Sequence, residues 1–280
     1  MKVKSGLFLL AGLLLFNTNA FSQDSNFYIF LCFGQSNMEG YPRTAEDQDK
    51  TVDPRFQMLA AVDFPGMQRT NGNWYPAIPP LCRPSCGLCP ADYFGRTLVT
   101  TLPKNIRVGV INVAVAGCKI EMFQKTNYES YASTQAAWMK NIVKEYGGNP
   151  YGRLVELAKQ AQKDGVIKGI LLHQGESNSG DRQWPEKVKG VYDDLLSDLG
   201  LKPDSVPLLA GELVSGASPT GRLPEVVTNA YVISSKGCTS QPDRLHFNSA
   251  GYRELGKRYG DKMLQLLGYA PAEPKKAEAP

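Results

Sequence analysis

Histidine is scarce in this chain, with His173 and His246 the two in 280 residues. A dominant charge is missing too: 31 Lys and Arg stand against 27 Asp and Glu, for a net +4. Two of those cations, Lys2 and Lys4, lie in a segment expected to be removed, which leaves an excess of about two. So small and dispersed an excess offers nothing to nucleic acid or to an anionic membrane surface. There is no internal repeat and no second core. The N-terminal apolar run, Gly6 to Phe16, falls well short of the roughly 20 residues that cross a bilayer. Flanked by lysines before it and small polar residues after it, that run has the layout of a secretory signal peptide over residues 1–22, with cleavage near Ala20 or Ser22. A secreted or periplasmic location follows. No cysteine follows the run closely, so a lipid-modified N-terminus is not expected.

The remainder has the composition of a globular protein that buries a core: 42% apolar and 21% charged. Apolar strands end in small or polar residues and alternate with amphipathic helices. The strands are read at residues 27–33, in "IRVGVINVAVAG", in "VIKGILLHQGES", in "VPLLAGELV" and in "NAYVISS". Helices are expected from Pro90 to about Leu102, from an Asn149 cap to a stop at Gly165, around Val188 to Leu199 with Gly200 as terminator, and from Tyr252 to Leu267. That alternation predicts a parallel sheet covered on both faces, in one domain from about residue 25 to 270. Residues 271–280, "PAEPKKAEAP", carry no apolar period and are expected to be a disordered tail. Between the first strand and the first helix, residues 41–90 read as one long irregular excursion, a length that usually marks function.

Within the excursion, "PLCRPSCGLCP" gathers Cys82, Cys86 and Cys89, while Cys32, Cys118 and Cys238 stand apart. A metal knuckle is one reading, but no histidine is near and a structural zinc site needs four placed ligands. In an exported protein a disulfide pinning the Pro-rich loop is the favoured alternative, its pairing open. No metal and no cofactor are called for.

In a parallel sheet the ligand site lies beyond the carboxyl ends of the strands. Those ends supply Gly34-Gln35-Ser36-Asn37, then Ala116-Gly117-Cys118, then His173-Gln174-Gly175-Glu176, and late in the chain "PDRLHFNSAGY" brings Asp243 and His246. A serine hydroxyl needs a neighbouring base, an imidazole needs an acceptor on its other nitrogen, and a developing oxyanion needs donors. Ser36, His246 and Asp243 fill the first three roles. The Ser36 and Gly117 amides and the Gln174 side chain are the candidate donors, with Gln35, Asn37 and Glu176 as supporting residues. His173, which lacks a carboxylate three residues before it, reads as a hydrogen-bonded, partly buried histidine. Glu176 is either an alternative orienting acid or, the preferred reading, a residue that holds the loop. Trp74, Trp138 and Trp184 are candidates for sugar stacking, though rim or core packing is the commoner use.

The blocks "GQSNM", "VAVAG", "HQGES" and "DRLHF", in this order, resemble the SGNH hydrolase superfamily and, within it, the sialate O-acetylesterase-like branch that includes the acetyl xylan esterases of carbohydrate esterase family six. The resemblance implies a flavodoxin-like three-layer α/β sandwich around a central parallel sheet. It also implies a metal-free serine esterase, with Ser36 as nucleophile, His246 as base, Asp243 as its partner, and Gly117 and Gln174 in the oxyanion hole. Acetylated carbohydrate is the implied substrate, acetylxylan or a similar plant polysaccharide. Sialic acid O-acetyl esters are the closest alternative, and a carbohydrate-binding protein that has lost catalysis is the alternative of a different class. Gly-Gln-Ser-Asn in place of Gly-Asp-Ser-Leu, and Gln174 in place of the usual Asn, are departures shared with the sugar-deacetylating branch.

Overall fold

A computed structural model describes residues 23–41, 45–216 and 219–269. The expected signal peptide at 1–22 and tail at 271–280 lie outside the described residues. Seven strands form one sheet: β1 (Asp24–Gly34), β2 (Phe56–Leu59), β3 (Trp74–Pro76), β4 (Arg107–Ala114), β5 (Gly165–His173), β6 (Leu208–Gly211) and β7 (Ala230–Ile233). Eight helices accompany it: α1 (Ser36–Glu39), α2 (Pro90–Thr101), α3 (Tyr128–Ser133), α4 (Ala137–Glu145), α5 (Pro150–Ala161), α6 (Trp184–Leu199), α7 (Leu223–Val226) and α8 (Ser249–Leu266).

The strand order is β3-β2-β4-β1-β5-β6-β7, parallel throughout except for β3. With β2 and β3 set aside, the order β4-β1-β5-β6-β7 is the flavodoxin-like one, in which the chain leaves β1 toward one edge and then crosses to the other. The crossing opens a crevice at the carboxyl ends of β1 and β5. These central strands are buried on both faces, as their unbroken apolar runs require: Ile29 to Phe33 and Ile170 to Leu172 are fully buried. Phe30 meets Phe94 of α2 edge-on at 4.8 Å, while Phe33, pointing to the opposite face, meets Phe123 at 5.2 Å. Helices therefore cover both faces, α2 packing on α8 and α5 on α6.

The excursion at 41–90 is not irregular throughout. Phe56–Leu59 pairs in parallel with β4, and Trp74–Pro76 folds back on it as an antiparallel edge, widening the sheet by two strands. Strands of four and three residues leave too short an alternation to read from sequence. The cysteine-rich end of the excursion is held by charge and packing, not by the expected disulfide: all six cysteines are free thiols. Cys82 Sγ lies 3.1 Å from the Tyr146 hydroxyl, Cys89 Sγ lies 3.5 Å from Asn112 Nδ2, and Arg83 is paired with Glu39 and Glu145. Two smaller differences concern helices. α3 and α4 occupy residues that carried no helical assignment, and α5 ends at Ala161, so that Gly165 opens β5 instead of closing the helix. A side chain at Gly165 would stand 2.4 Å from the Phe27 carbonyl oxygen, which is why the strand needs glycine there.

Helix α2 starts where Pro90 occupies its first turn and Asp92 accepts the Cys89 N–H at 2.9 Å, a reciprocal cap. Asp92 is fully buried, and burial outweighs that hydrogen bond and pushes its carboxyl up to about 7. The unfolded chain loses this proton near pH 3.9 and the folded chain near 7, so stability falls as pH rises between the two and is constant above. In Asp92→Asn this loss is absent. The variant's unfolding free energy relative to wild type is expected to rise between pH 4 and pH 7.5, by up to about 4 kcal/mol, in denaturant titrations at the two pH values. A difference independent of pH would show that Asp92 is ionised in the fold throughout.

Candidate active site

Strand β1 ends on Gly34, whose φ of +152° lets the chain pass so close to β5 that a Cβ would lie 2.0 Å from the His173 carbonyl oxygen. The next residue completes the join: the Gln35 N–H donates to that same oxygen at 3.0 Å. Ser36 then opens α1 at the rim of the crevice, 5% exposed. Its Oγ lies 2.9 Å from His246 Nε2, and His246 Nδ1 lies 2.7 Å from Asp243 Oδ2. Asp243 also accepts the backbone N–H groups of Leu245 and His246 at 2.9 and 3.0 Å. Burial acts to raise the Asp243 carboxyl, but the imidazole and the two N–H donors prevail and hold it down at about 2. It is a carboxylate at any ordinary pH, and the imidazole N–H on Nδ1 points at it. That leaves Nε2 free to accept a proton from Ser36.

Asn37 fixes this geometry. Its Nδ2 donates to the Leu245 carbonyl at 3.0 Å and to Glu176 Oε1 at 2.7 Å, while its Oδ1 accepts the Phe247 N–H at 3.1 Å and the Tyr252 hydroxyl at 2.9 Å. The residue after the serine thus grips the backbone on both sides of the histidine. Glu176 joins this clamp through Oε1, which also lies 3.5 Å from His173 Nδ1, and its side chain lines the cleft. His173 is fully buried, its Nε2 3.2 Å from the Glu212 carbonyl and its ring edge-on to Phe247, away from Ser36.

Gln174, expected beside the reacting carbonyl, is set beneath the crevice floor. The Trp184 indole N–H donates to its Oε1, which turns its Nε2 toward Asn178 Oδ1 at 2.7 Å and toward Gln35 Oε1 and the Cys118 carbonyl, each at 3.2 Å. It is fully buried and does not line the cleft. Gln35 does line it. Gln35 Oε1 accepts from Gln174 Nε2 and from the Gly175 and Ser177 N–H groups at 3.4 Å, and donors of this kind admit only an oxygen opposite them. The Gln35 amide nitrogen therefore faces the cleft, with Ser177 Oγ at 3.5 Å as its contact among the described residues. Gly117, with φ +68°, curls the end of the β4 loop against Ser36's cleft, and its carbonyl is tied by Ser177 Oγ at 2.9 Å.

The cleft encloses about 580 Å³ and is lined by Gln35, Ser36, Gly117, Arg83, Trp138 and His246, among others. Arg83 is the feature that sequence reasoning missed. It donates to Glu39 through Nε at 3.1 Å and through Nη2, and to Glu145 and Ser85 through Nη1 at 2.9 and 3.1 Å. Burial acts to lower its pKa, but the Glu39 carboxylate, aided by Cys86, Tyr146 and Cys82, prevails and raises it. The available signal was Glu39, an acid placed three residues after Ser36 in a segment otherwise apolar or small.

A family model described as "Carbohydrate esterase, sialic acid-specific acetylesterase" matches residues 26–265. Three solved structures share the fold. A protein of Arabidopsis thaliana is 20% identical, with 86% of this chain and 98% of that one covered and a TM-score of 0.64. NanS is 17% identical, with 88% and 99% covered and a TM-score of 0.65. XAC1771, a carbohydrate acetylesterase from Xanthomonas citri, is 17% identical with a TM-score of 0.60; 85% of this chain is covered but 56% of that longer one.

If Asn37 holds the two halves of the crevice, Asn37→Ala is expected to leave the buried Phe247 N–H without a partner, at roughly 1–3 kcal/mol, while the Tyr252 hydroxyl keeps the Tyr41 carbonyl. A lowered unfolding midpoint is expected, together with a loss of esterase turnover at temperatures where the variant is fully folded. Turnover that survives intact in the folded variant would show that His246 is held by Asp243 alone.

Proposed function

From its membership of the sialic acid-specific acetylesterase family of carbohydrate esterases, which makes this chain a carbohydrate O-acetylesterase and so a carboxylic ester hydrolase, we propose that it works as a serine esterase through Ser36, His246 and Asp243. The observation that carries this reading is the unbroken chain of contacts from Ser36 Oγ to His246 at 2.9 Å and from His246 to Asp243 at 2.7 Å.

Ser36 Oγ attacks the acetyl carbonyl carbon as its proton passes to His246 Nε2, and Asp243 stabilises the imidazolium that results. The carbonyl oxygen takes up the negative charge. Its donors are the Ser36 N–H, which opens a helical turn and has no intrahelical acceptor, the Gly117 N–H and the Gln35 amide. Collapse breaks the bond to the sugar oxygen, which leaves with the proton from His246. Water then enters, gives a proton to His246 and attacks the acetyl-serine; acetate departs and the proton returns to Ser36 Oγ. Gln174 acts in this scheme as a positioning residue, since it holds Gln35 Oε1 away from the cleft.

Acetylxylan or a similar plant polysaccharide is the substrate of this reading. The family's description favours a second, in which the acetyl group sits on sialic acid. The N-terminal pattern of lysines, apolar run and small residues supports work outside the cytoplasm. Acetate released from acetylated xylan and from acetylated sialic acid tests the substrate directly.

Ser36→Ala and His246→Ala are each expected to lower kcat by on the order of 10⁴-fold or more with the unfolding midpoint little changed, and His173→Ala far less in rate. A Ser36→Ala enzyme that turns over at near wild-type rate would refute the serine mechanism. Asp243, its carboxyl held down at about 2, should add no ionisation of its own to the pH–rate profile in the neutral range. At the oxyanion, Gln35→Ala should cost roughly 10²–10³ in kcat with KM nearly unchanged. Gln174→Ala should act more weakly and lower stability as well. The opposite ranking of these two would return the donor role to Gln174.

A further inference from the structure

Tyr41, Met67, Trp138, Leu245 and Leu266 are the large hydrophobic side chains exposed among the described residues, and Tyr41, Trp138 and Leu245 line the single cleft that holds Ser36. Exposed apolar surface gathered at one spot marks a binding surface. The three tryptophans separate cleanly. Trp184 is buried against Gln174, and Trp74 is tied to Asp164 at 2.9 Å beside the distant end of the sheet, near Phe27. Trp138 is 54% exposed although α4 turns Met139 and Val143 inward to the core. Its ring reaches over Gly117, 2.9 Å from where a Cβ would stand, and Ile142 follows one turn later on the same wall. Across the cleft Tyr41 stands edge-on to the His246 ring at 4.7 Å.

Charge narrows the ligand. The cleft carries Glu39 and Glu176 with one lining cation, Arg83, among the described residues, and every guanidinium nitrogen of Arg83 already donates to Glu39, Glu145 or Ser85. A carboxylate on the sugar would have to compete with Glu145 and Ser85 for Nη1 or break the buried Arg83–Glu39 pair, and it would stand beside the acids that line the cleft.

We infer that Trp138 is the platform for the sugar ring and that the ring it selects is an uncharged acetylated pyranose. The C–H face of such a ring lies on the negative face of the indole, with its ester carbonyl directed to Ser36 beside Gly117. This inference rests on the serine esterase reading above.

The test compares wild type, Trp138→Ala, Trp138→Phe and Ser36→Ala on acetylated xylo-oligosaccharides, on O-acetylated sialic acid and on 4-nitrophenyl acetate. Trp138→Ala should raise KM for the xylo-oligosaccharide roughly 10-fold or more, and more than it raises KM for the aryl ester; Trp138→Phe should recover most of the loss. Wild type should favour the neutral ester over the sialate in kcat/KM, and Glu145→Ala, which leaves Arg83 Nη1 to Ser85 alone, should narrow that preference. Equal effects of Trp138→Ala on both esters, or none, would overturn the platform. A wild-type preference for the sialate ester would overturn the neutral ring. Activity retained by Ser36→Ala on all three esters would instead overturn the serine reading, a separate outcome.

Discussion

The Asn37 carboxamide meets four partners drawn from three separate segments of the chain, and the working geometry of the crevice hangs on it. The proposed nucleophile and base need to stay within hydrogen-bond reach, and here they sit on two segments, the start of α1 and the loop before α8, with no direct backbone link. Side-chain contact between Ser36 and His246 alone would leave the imidazole free to swing. With the Leu245 carbonyl and the Phe247 N–H both bound by the neighbour of Ser36, His246 can depart only if buried polar groups are left unpaired. Glu176 and Tyr252 complete the amide's valence, so the β5 loop and the start of α8 are recruited to the same task.

The sheet explains why such convergence is possible. The chain order turns back at β1, and the segments after β1, β4 and β5 leave the sheet at the same end, with the single turn of α1 set among them. Gly34 allows β1 and β5 to approach at the point of exit. The excursion then supplies the opposite wall, and its Arg83 is bonded to Glu39 of the nucleophile's own helical turn. That buried pair joins the cysteine-rich loop to the site more tightly than a surface ion pair would.

Much of this was legible in the residues. The long β-branched strands, the Asn149 and Gly200 helix ends and the polar strand tips declare themselves locally, because each depends on neighbours in sequence. Ser36, Gly117, Asp243 and His246 were named from the same tips; the fold brings Ser36, Gly117 and His246 to one cleft and sets Asp243 against the other nitrogen of the His246 ring. What escaped depends on distant contacts. The strands β2 and β3 are too short to show a period and exist because β4 offers an edge. Gln174 stood at a strand tip like a donor, yet the Trp184 indole ten residues on claims its oxygen and turns the amide inward. Cys82, Cys86 and Cys89 suggested a disulfide, but their side chains are spent on core packing while Arg83, unremarked between them, does the tethering. No property of an isolated tryptophan distinguishes Trp138 from Trp184; only burial does.

The contact between Ser36 and His246 closes a loop of 210 residues, nearly the whole described chain. A growing chain emerging from the ribosome can pair β1 with β4 and β5 long before Asp243 and His246 exist, so the sheet precedes the chemistry. Until the C-terminal segment docks, the Asn37 amide lacks the Leu245, Phe247 and Tyr252 groups that satisfy it, and a chain cut short before that segment carries Ser36 with no imidazole beside it. On the serine mechanism proposed above, hydrolytic competence is thus the last property acquired during synthesis, and it certifies that both ends of the polypeptide have found each other.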